Sequence, residues 1–402
     1  MKPIPYGKQH ITEDDIEAVV ATLRSDYLTQ GPKVKEFEDA FARYIGCKYA
    51  VAVSNGTAAL HLSAMAMNVR PGDKVITTPI TFAASANCIR YCGGEVVFAD
   101  IDPDTYLLDI VKVRSLLEAS PKGTYKGIIP VDFAGRAVNL EEFRKLADEF
   151  GLWIIEDACH APGGFFVDSS GNKQFCGNGR FAELAIFSFH PAKHIAAGEG
   201  GMITTNNEAL YRRLMLLRTH GITRDESLFT NGVSMASAGE SSDGSYPGWY
   251  MEMQELGFNY RITDFQCALG LSQLKRAEEG LLRRREIAKR YDQAFSAYSE
   301  INAPNLELGR ESGQHAYHLY VIQVPRRMGL YNYLRSKNIY TQVHYIPTHL
   351  MPYYKSLGYS EGMFRAAESY YLNCLSLPMF PSLTDADQNY VIKEILEFLK
   401  RP

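Results

Sequence analysis

Apolar and polar positions along the chain fall into two alternating patterns. Short, unbroken apolar runs at 49–53, 74–78, 95–98, 127–131, 152–156, 184–189 and 201–205 read as buried strands. Between several of them lie stretches with helical spacing, at 58–67, 83–91 and 140–150. Two amphipathic helices precede the first strand. One is capped by Thr12 with acidic residues in its first turn, and the other spans 34–45. Strands that are apolar throughout, separated by helices, indicate a mostly parallel sheet covered on both faces, the α/β class.

The second half changes character. Residues 225–255 contain no Lys or Arg and many Gly and Ser, so they read as a surface loop, equally a flap or a plain insertion. Thr263 caps a long helix running to about Tyr298, with Arg283 to Arg285 on its solvated face. A smaller α+β part follows, with strands near 319–324 and 340–344, helices near 328–337 and 361–372, and a last helix from Asp385. The predicted division is a large domain, 1–262, and a linking helix with a small domain, 263–402.

Composition narrows the class of protein. The 402 residues are 46% hydrophobic and 22% charged, with a net charge of −4, which gives no reason to expect nucleic acid or an anionic membrane as partner. No apolar run reaches the roughly 20 residues of a spanning helix, and the N-terminus lacks a signal-peptide core. The seven scattered cysteines fit reduced thiols in a cytoplasm. Cys88 and Cys92 are one helical turn apart, but a metal site needs two more ligands and no partner pair is visible, so no metal is expected.

In open α/β sheets ligands bind beyond the C-terminal ends of the strands. That rule collects Gly56 and Thr57, Thr81 and Phe82, Asp132, Asp157, His160, Ser188 and Lys193. The Asn55-Gly-Thr57 turn opens a helix, whose N-terminal amides suit a phosphate. An ordinary N-cap turn explains those residues equally well. Lys193 lies between two apolar strands and before Gly198-Glu-Gly-Gly201. Taken alone, such a loop lysine is more often solvated; next to packed strands its amine becomes nucleophilic. Together, a phosphate cradle, an aromatic ring, a carboxylate and a lysine are the groups pyridoxal 5′-phosphate requires. No G-x-G-x-x-G follows the first strand, so a dinucleotide has little support.

The chain resembles the DegT/DnrJ/EryC1/StrS aminotransferases, which act on nucleotide-linked sugars with the fold-type I architecture. The resemblance covers essentially the whole chain. It is carried by Leu28-Thr-Gln-Gly31, Asn55-Gly-Thr57, Thr78-Pro-Ile-Thr-Phe82, Glu156-Asp157, Ser188-Phe-His-Pro-Ala-Lys193, Gly198-Glu-Gly-Gly201 and Gly257-Phe-Asn-Tyr-Arg261. It implies that Lys193 holds pyridoxal phosphate as a Schiff base and moves protons, and that Asp157 partners the pyridine nitrogen. It further implies that Phe82 stacks on the cofactor ring and that Gly56, Thr57 and Ser188 bind the phosphate. Asn259 would reach the phosphate of a neighbouring subunit, which implies a homodimer. His160 stands where many members have Gln, leaving its tautomer and charge open.

Finer resemblance, in residues 77–87, 131–135, 158–161 and 342–347, is to the branch that aminates C4 of UDP-2-acetamido-2,6-dideoxy-β-L-arabino-hex-4-ulose in pseudaminic acid biosynthesis, with L-glutamate as donor. The substrate-facing set expected is Tyr6, Thr29, His190, Arg261, His344 and Tyr345. Alternatives are another UDP- or dTDP-linked keto sugar, a sugar dehydratase (that group carries His in place of the lysine) and a non-catalytic sugar-binding relative.

Overall fold

The computed structural model describes residues 2–240, 244–303 and 314–401. Two helices, α1 (Glu13–Leu23) and α2 (Pro32–Ile45), lead in. They are followed by β1 (Tyr49–Val53), α3 (Gly56–Ala66), β2 (Lys74–Thr77), α4 (Ala84–Tyr91), β3 (Glu95–Phe98), α5 (Ile110–Glu118), β4 (Tyr125–Ile129), α6 (Leu140–Phe150) and β5 (Trp153–Asp157). A small hairpin, β6 (Phe165–Val167) and β7 (Lys173–Phe175), precedes β8 (Leu184–Ser188) and β9 (Gly201–Thr205).

Seven of these strands make one sheet in the order β1-β9-β8-β5-β4-β2-β3. The β2, β3, β4, β5 and β8 pairings are parallel, while β9 runs antiparallel to both β8 and β1. The alternation of apolar runs and helices therefore predicts the sheet correctly. β5 and β8 are neighbours in the sheet and carry Asp157 and Ser188 at their C-terminal ends. Helix α1 docks on a later helix through Asp15, which is fully buried. Asp15 accepts from the Thr12 N–H at 2.9 Å and from Gln273 and Arg276 at 2.6 Å each.

After α7 (Glu208–Arg218), β10 (Ile222–Thr223) pairs with β11 (Glu252–Met253), closing off the excursion that contains α8 (Val233–Ala236). Residues 241–243 of the predicted loop lie outside the described residues. The described part is organised on buried Glu252, which accepts from the N–H groups of Thr230 and Asn231 and from Tyr250 Oη.

The long helix expected from Thr263 is two helices, α9 (Asp264–Lys275) and α10 (Ala277–Phe295), broken at Arg276. Thr263 caps α9 together with Gln266, as expected. The reading of Arg283 to Arg285 as a solvated face is corrected for Arg284. It is 1% exposed and donates to the carbonyls of Tyr317, His318 and Met379, because α10 is covered by the chain that follows it. Beyond α10 come β12 (Tyr320–Gln323), α11 (Arg327–Ser336), α12 (Pro352–Lys355), α13 (Arg365–Asn373), β13 (Cys374–Leu377) and α14 (Asp385–Leu399). The strand expected at 340–344 is an irregular stretch, bridged at Gln342 to Ser376 and bonded through the Tyr340 N–H to the Ile4 carbonyl. One apolar cluster gathers α10, β12, α11, β13 and α14 with Ile4 from the N-terminal arm. Three others pack the large sheet against its helices, and one of them includes Leu319, Val321 and Tyr370.

Candidate active site

The loops beyond β1, β2, β5 and β8 enclose a cavity of about 700 Å³, within the range of small-molecule sites. Of the candidate site residues singled out in the sequence, Tyr6, Gly56, Thr57, Thr81, Phe82, Asp157, His160, Ser188, His190, Lys193, His344 and Tyr345 line it. Four do not. Asp132 is buried beneath the end of β5, its N–H donating to the Asp157 carbonyl. Thr29 is bridged to Thr263, Asn259 is bridged to Thr219, and Arg261 follows in the same strip of chain. No residue of 225–255 lines the cavity of the single chain among those described.

One wall is the N-terminus of α3. Asn55 caps it by accepting from the Ala58 N–H at 2.8 Å, which leaves the first amides, at Gly56 and Thr57, directed out of the helix. A side chain on Gly56 would sit 3.0 Å from Ser188 Cβ and 3.3 Å from its hydroxyl. A Cβ on Gly201 would come within 2.5 Å of the Asn55 carbonyl. Both glycines let β8, β9 and the α3 turn close on one another, so that Ser188 Oγ joins the helix amides in one cradle. An anion there meets N–H donors, a hydroxyl and the positive end of α3.

The opposite end is acidic. Asp157, at the end of β5, accepts from Ser85 Oγ at 2.5 Å and from the Cys159 N–H at 3.2 Å. Ser85 also pairs with Thr81 Oγ1 at 2.7 Å, fixing the start of α4 and with it Phe82. The Phe82 ring is 63% exposed, with Tyr345 at 6.3 Å between centroids, leaving an aromatic face open over the cavity.

Lys193 stands in the turn after β8, its N–H bonded to the His190 carbonyl at 2.8 Å. Burial lowers its pKa, opposed by the Cys159 and Asp157 side chains. A depressed pKa frees the amine to attack a carbonyl. Burial keeps the imidazoles of His160, His194 and His344 neutral. His160 is held well below its ordinary pKa by burial, with Lys193, His344 and His194 adding to the effect. The structure settles its tautomer: the Ala134 N–H can only donate, so Nδ1 at 3.2 Å must accept, and the proton is on Nε2. Nε2 lies 3.2 Å from Tyr345 Oη. The Tyr345 pKa is raised by burial, so its phenol keeps its own proton. His344 bonds Ser376 Oγ at 2.8 Å, and burial with Lys193 pushes its pKa down to about 3.

Among the further side chains that line the cavity, sequence reasoning does not single out Ser85, Cys159 and His318, and it gives no role to Glu199 or Tyr260. His318 packs its ring 4.2 Å from that of His160. Ser85 alone carries a local signal, a hydroxyl one helical turn beyond Thr81.

Over residues 9–396 the chain matches the model of the DegT/DnrJ/EryC1/StrS aminotransferase family, and it belongs to that family. It is 39% identical over 405 residues to the spore coat polysaccharide biosynthesis protein SpsC of Bacillus subtilis, covering 99% of this chain and 97% of the relative. It is 33% identical over 401 residues to a UDP-4-amino-4,6-dideoxy-N-acetyl-β-L-altrosamine transaminase of Campylobacter jejuni, covering 99% and 98%. Among solved structures, Helicobacter pylori PseC, an aminotransferase of pseudaminic acid biosynthesis, superposes with a TM-score of 0.84 at 28% identity over 99% of both chains. The PLP form of the sugar aminotransferase Spr1654 from Streptococcus pneumoniae does so with a TM-score of 0.83 at 29% identity over 98% of both. The chain is a PLP-dependent sugar aminotransferase, and its residues fit the cofactor: a phosphate cradle at one end, a carboxylate at the other, an open aromatic face and a lysine. Among the described residues, no helix is long and apolar enough to cross a membrane.

Proposed function

We propose that the chain transfers the amino group of L-glutamate to C4 of UDP-2-acetamido-2,6-dideoxy-β-L-arabino-hex-4-ulose, a UDP-linked 4-keto-6-deoxy sugar, as a step toward pseudaminic acid. The observation that carries this reading is the lysine between carboxylate and cradle in a cavity wide enough for cofactor and sugar together. The resemblance in structure to PseC and in sequence to the altrosamine transaminase supports the choice of sugar.

When bound, pyridoxal phosphate supplies an electron sink for the carbon that gains or loses a proton. The Lys193 amine, poorly solvated and so ready to lose its proton, binds the cofactor and then moves the proton at the reacting carbon. Asp157, oriented by Ser85 and the Cys159 N–H, holds the proton on the pyridine nitrogen. Phe82 covers the ring, and Gly56, Thr57 and Ser188 hold the phosphate. His160 and Tyr345, both neutral, present hydrogen-bond donors without adding charge beside the lysine. Tyr6, His190 and His344 form the wall left for the sugar.

A homodimer is part of this reading. Asn259 lies outside the cavity of its own chain, so contact with a cofactor phosphate requires a second copy, with Thr29 and Arg261 near the same surface. Seven free cysteines support a reducing, cytoplasmic setting.

A second reading, amination of another nucleotide-linked keto sugar, is favoured by the higher identity to SpsC. Turnover of a panel of UDP- and dTDP-linked 4-keto-6-deoxy sugars, with glutamate as donor, decides between them. The first reading expects the highest kcat/KM on the β-L-arabino-hex-4-ulose. A preference of tenfold or more for a dTDP sugar would replace it.

A further inference from the structure

Behind Asp157 lies a second acidic group that the mechanism above does not use. Asp132 ends the stretch after β4, and Glu156 immediately precedes Asp157 in β5. They are 0% and 2% exposed. One oxygen from each and the Cys176 sulfur all lie within 4.8 Å of one another. Each carboxyl is anchored by a backbone amide: Val138 N–H to Asp132 Oδ1 at 2.8 Å, and Gly177 N–H to Glu156 Oε2 at 2.9 Å. Asp132 Oδ2 is buried with no conventional donor. Among the described residues neither carboxyl forms an ion pair, so no cation balances them.

The group is also tied to Asp157 through the main chain. The Asp132 N–H donates to the Asp157 carbonyl at 3.0 Å, and the Asp157 N–H donates to the Pro130 carbonyl at 2.9 Å. Two buried carboxyls in contact without a cation cannot both ionise. A single proton held between the two carboxyls would remove that repulsion.

We propose that Asp132 and Glu156 act as one unit, sharing a single proton, and that the one negative charge they retain stands behind Asp157 and helps hold the proton on the cofactor's pyridine nitrogen. They are positioning residues, and the inference rests on the reading of Asp157 as that nitrogen's partner. The titration behaviour agrees. Burial raises the pKa of both Asp132 and Glu156 above the ordinary carboxylate range, and the Asp157 charge raises both further. The titratable groups facing the pair are Asp157 and Cys176, with Cys159 beyond Asp157, and burial keeps both thiols protonated.

A shared charge makes an unusual pattern of variants. Asp132→Asn or Glu156→Gln alone leaves one carboxyl, which keeps the charge and gains an amide partner. Only the double variant removes it. The holoenzyme loaded with cofactor labelled with ¹⁵N in the ring reports the nitrogen's protonation directly by NMR across a pH series. The pH at which it loses its proton should fall by about one unit in D132N/E156Q, the effect of removing a nearby buried charge, and stay near wild type in each single variant. A double variant that titrates like wild type, or a single variant that shifts as far as the double, overturns the proposal. Asp157→Asn is the control. A nitrogen indifferent to it fails the reading of Asp157, whereas a nitrogen that responds to it and not to the double variant fails the pair alone. Should the double variant not fold, infrared spectra decide: a protonated-carboxyl stretch present in wild type at neutral pH must vanish in each single variant, and its absence from wild type refutes the shared proton.

Discussion

Ser85 Oγ donates a 2.5 Å hydrogen bond to Asp157 Oδ2. The two residues are 72 positions apart, and the bond joins the helix that begins behind Phe82 to the strand end that carries the carboxylate. The group that would meet the pyridine nitrogen and the ring that would cover its face are thus set by one contact. Replacing Ser85 by Ala should leave the fold intact, because the hydroxyl also has Thr81 as neighbour and no apolar packing is lost. The carboxylate would lose one of its two orienting bonds, worth about 1–1.5 kcal/mol, so kcat should fall about tenfold with a weaker hold on the cofactor. Ser85→Thr, which keeps the hydroxyl, should recover most of it. Cofactor titration by fluorescence, alongside kcat and KM, checks both effects.

The buried histidines make the fold sensitive to acid. His344 has a folded pKa of about 3 against an ordinary 6.5, from burial and from Lys193. Between those values the unfolded chain binds a proton that the folded chain refuses. Stability is therefore fully present above about pH 6.5 and falls by about 1.4 kcal/mol per pH unit for each such histidine as pH drops toward 3. His160, His194, His315 and His318 shift in the same direction, each first by burial. Urea unfolding of the apoprotein at a series of pH values should give a slope of several protons. His344→Gln, which can still bond Ser376, should lower that slope by about one proton.

Arg284 is a structural cation. Its Nη1 serves three carbonyls at 3.0–3.3 Å, from Tyr317, His318 and Met379, and with burial its pKa falls only to about 10, so it stays charged at neutral pH. It thereby clamps α10 onto the segment that places His318 against His160. Arg284→Met should destabilise by about 3 kcal/mol, since buried carbonyls lose their donor. The unfolding midpoint of the apoprotein measures it.

Asn259 and Lys193 should complement each other between chains. In a dimer with shared sites, Lys193→Ala and Asn259→Ala are each inactive or nearly so as homodimers. Mixed subunits pair an intact Lys193 with an intact Asn259 in one of the two sites. Co-refolding equal amounts should restore about a quarter of wild-type activity, since about half the dimers are mixed and each carries one whole site. Activity no higher than that of the separate variants would place Asn259 in its own chain's business or outside the site.

The sheet was legible because buried parallel strands leave unbroken apolar runs, and every one of the seven runs became a strand of it. Lys193, Asp157 and the α3 cradle were legible because strand ends can be read once the strands are known. Other features depend on contacts between distant segments. Arg284 looks like any arginine on a helix and is buried only because the later chain folds over it. His318 enters the cavity from the second half, and nothing within a few residues of it announces that. The hairpin β6–β7 has strands of three residues each, too short for a period-2 pattern to stand out. The break at Arg276 lies within residues 273–279, a run of good helix formers.

The central claim is that Lys193 carries a pyridoxal cofactor which takes its amino group from glutamate. Absorbance spectra of the purified protein, wild type and Lys193→Ala, before and after L-glutamate and then a UDP-linked 4-keto sugar, test it most directly. The account predicts a visible band in wild type that glutamate bleaches toward the near ultraviolet and the keto sugar restores, and a Lys193→Ala protein that folds without the lysine-bound band and does not turn over. A wild-type band indifferent to glutamate, or a Lys193→Ala protein that cycles like wild type, would contradict it.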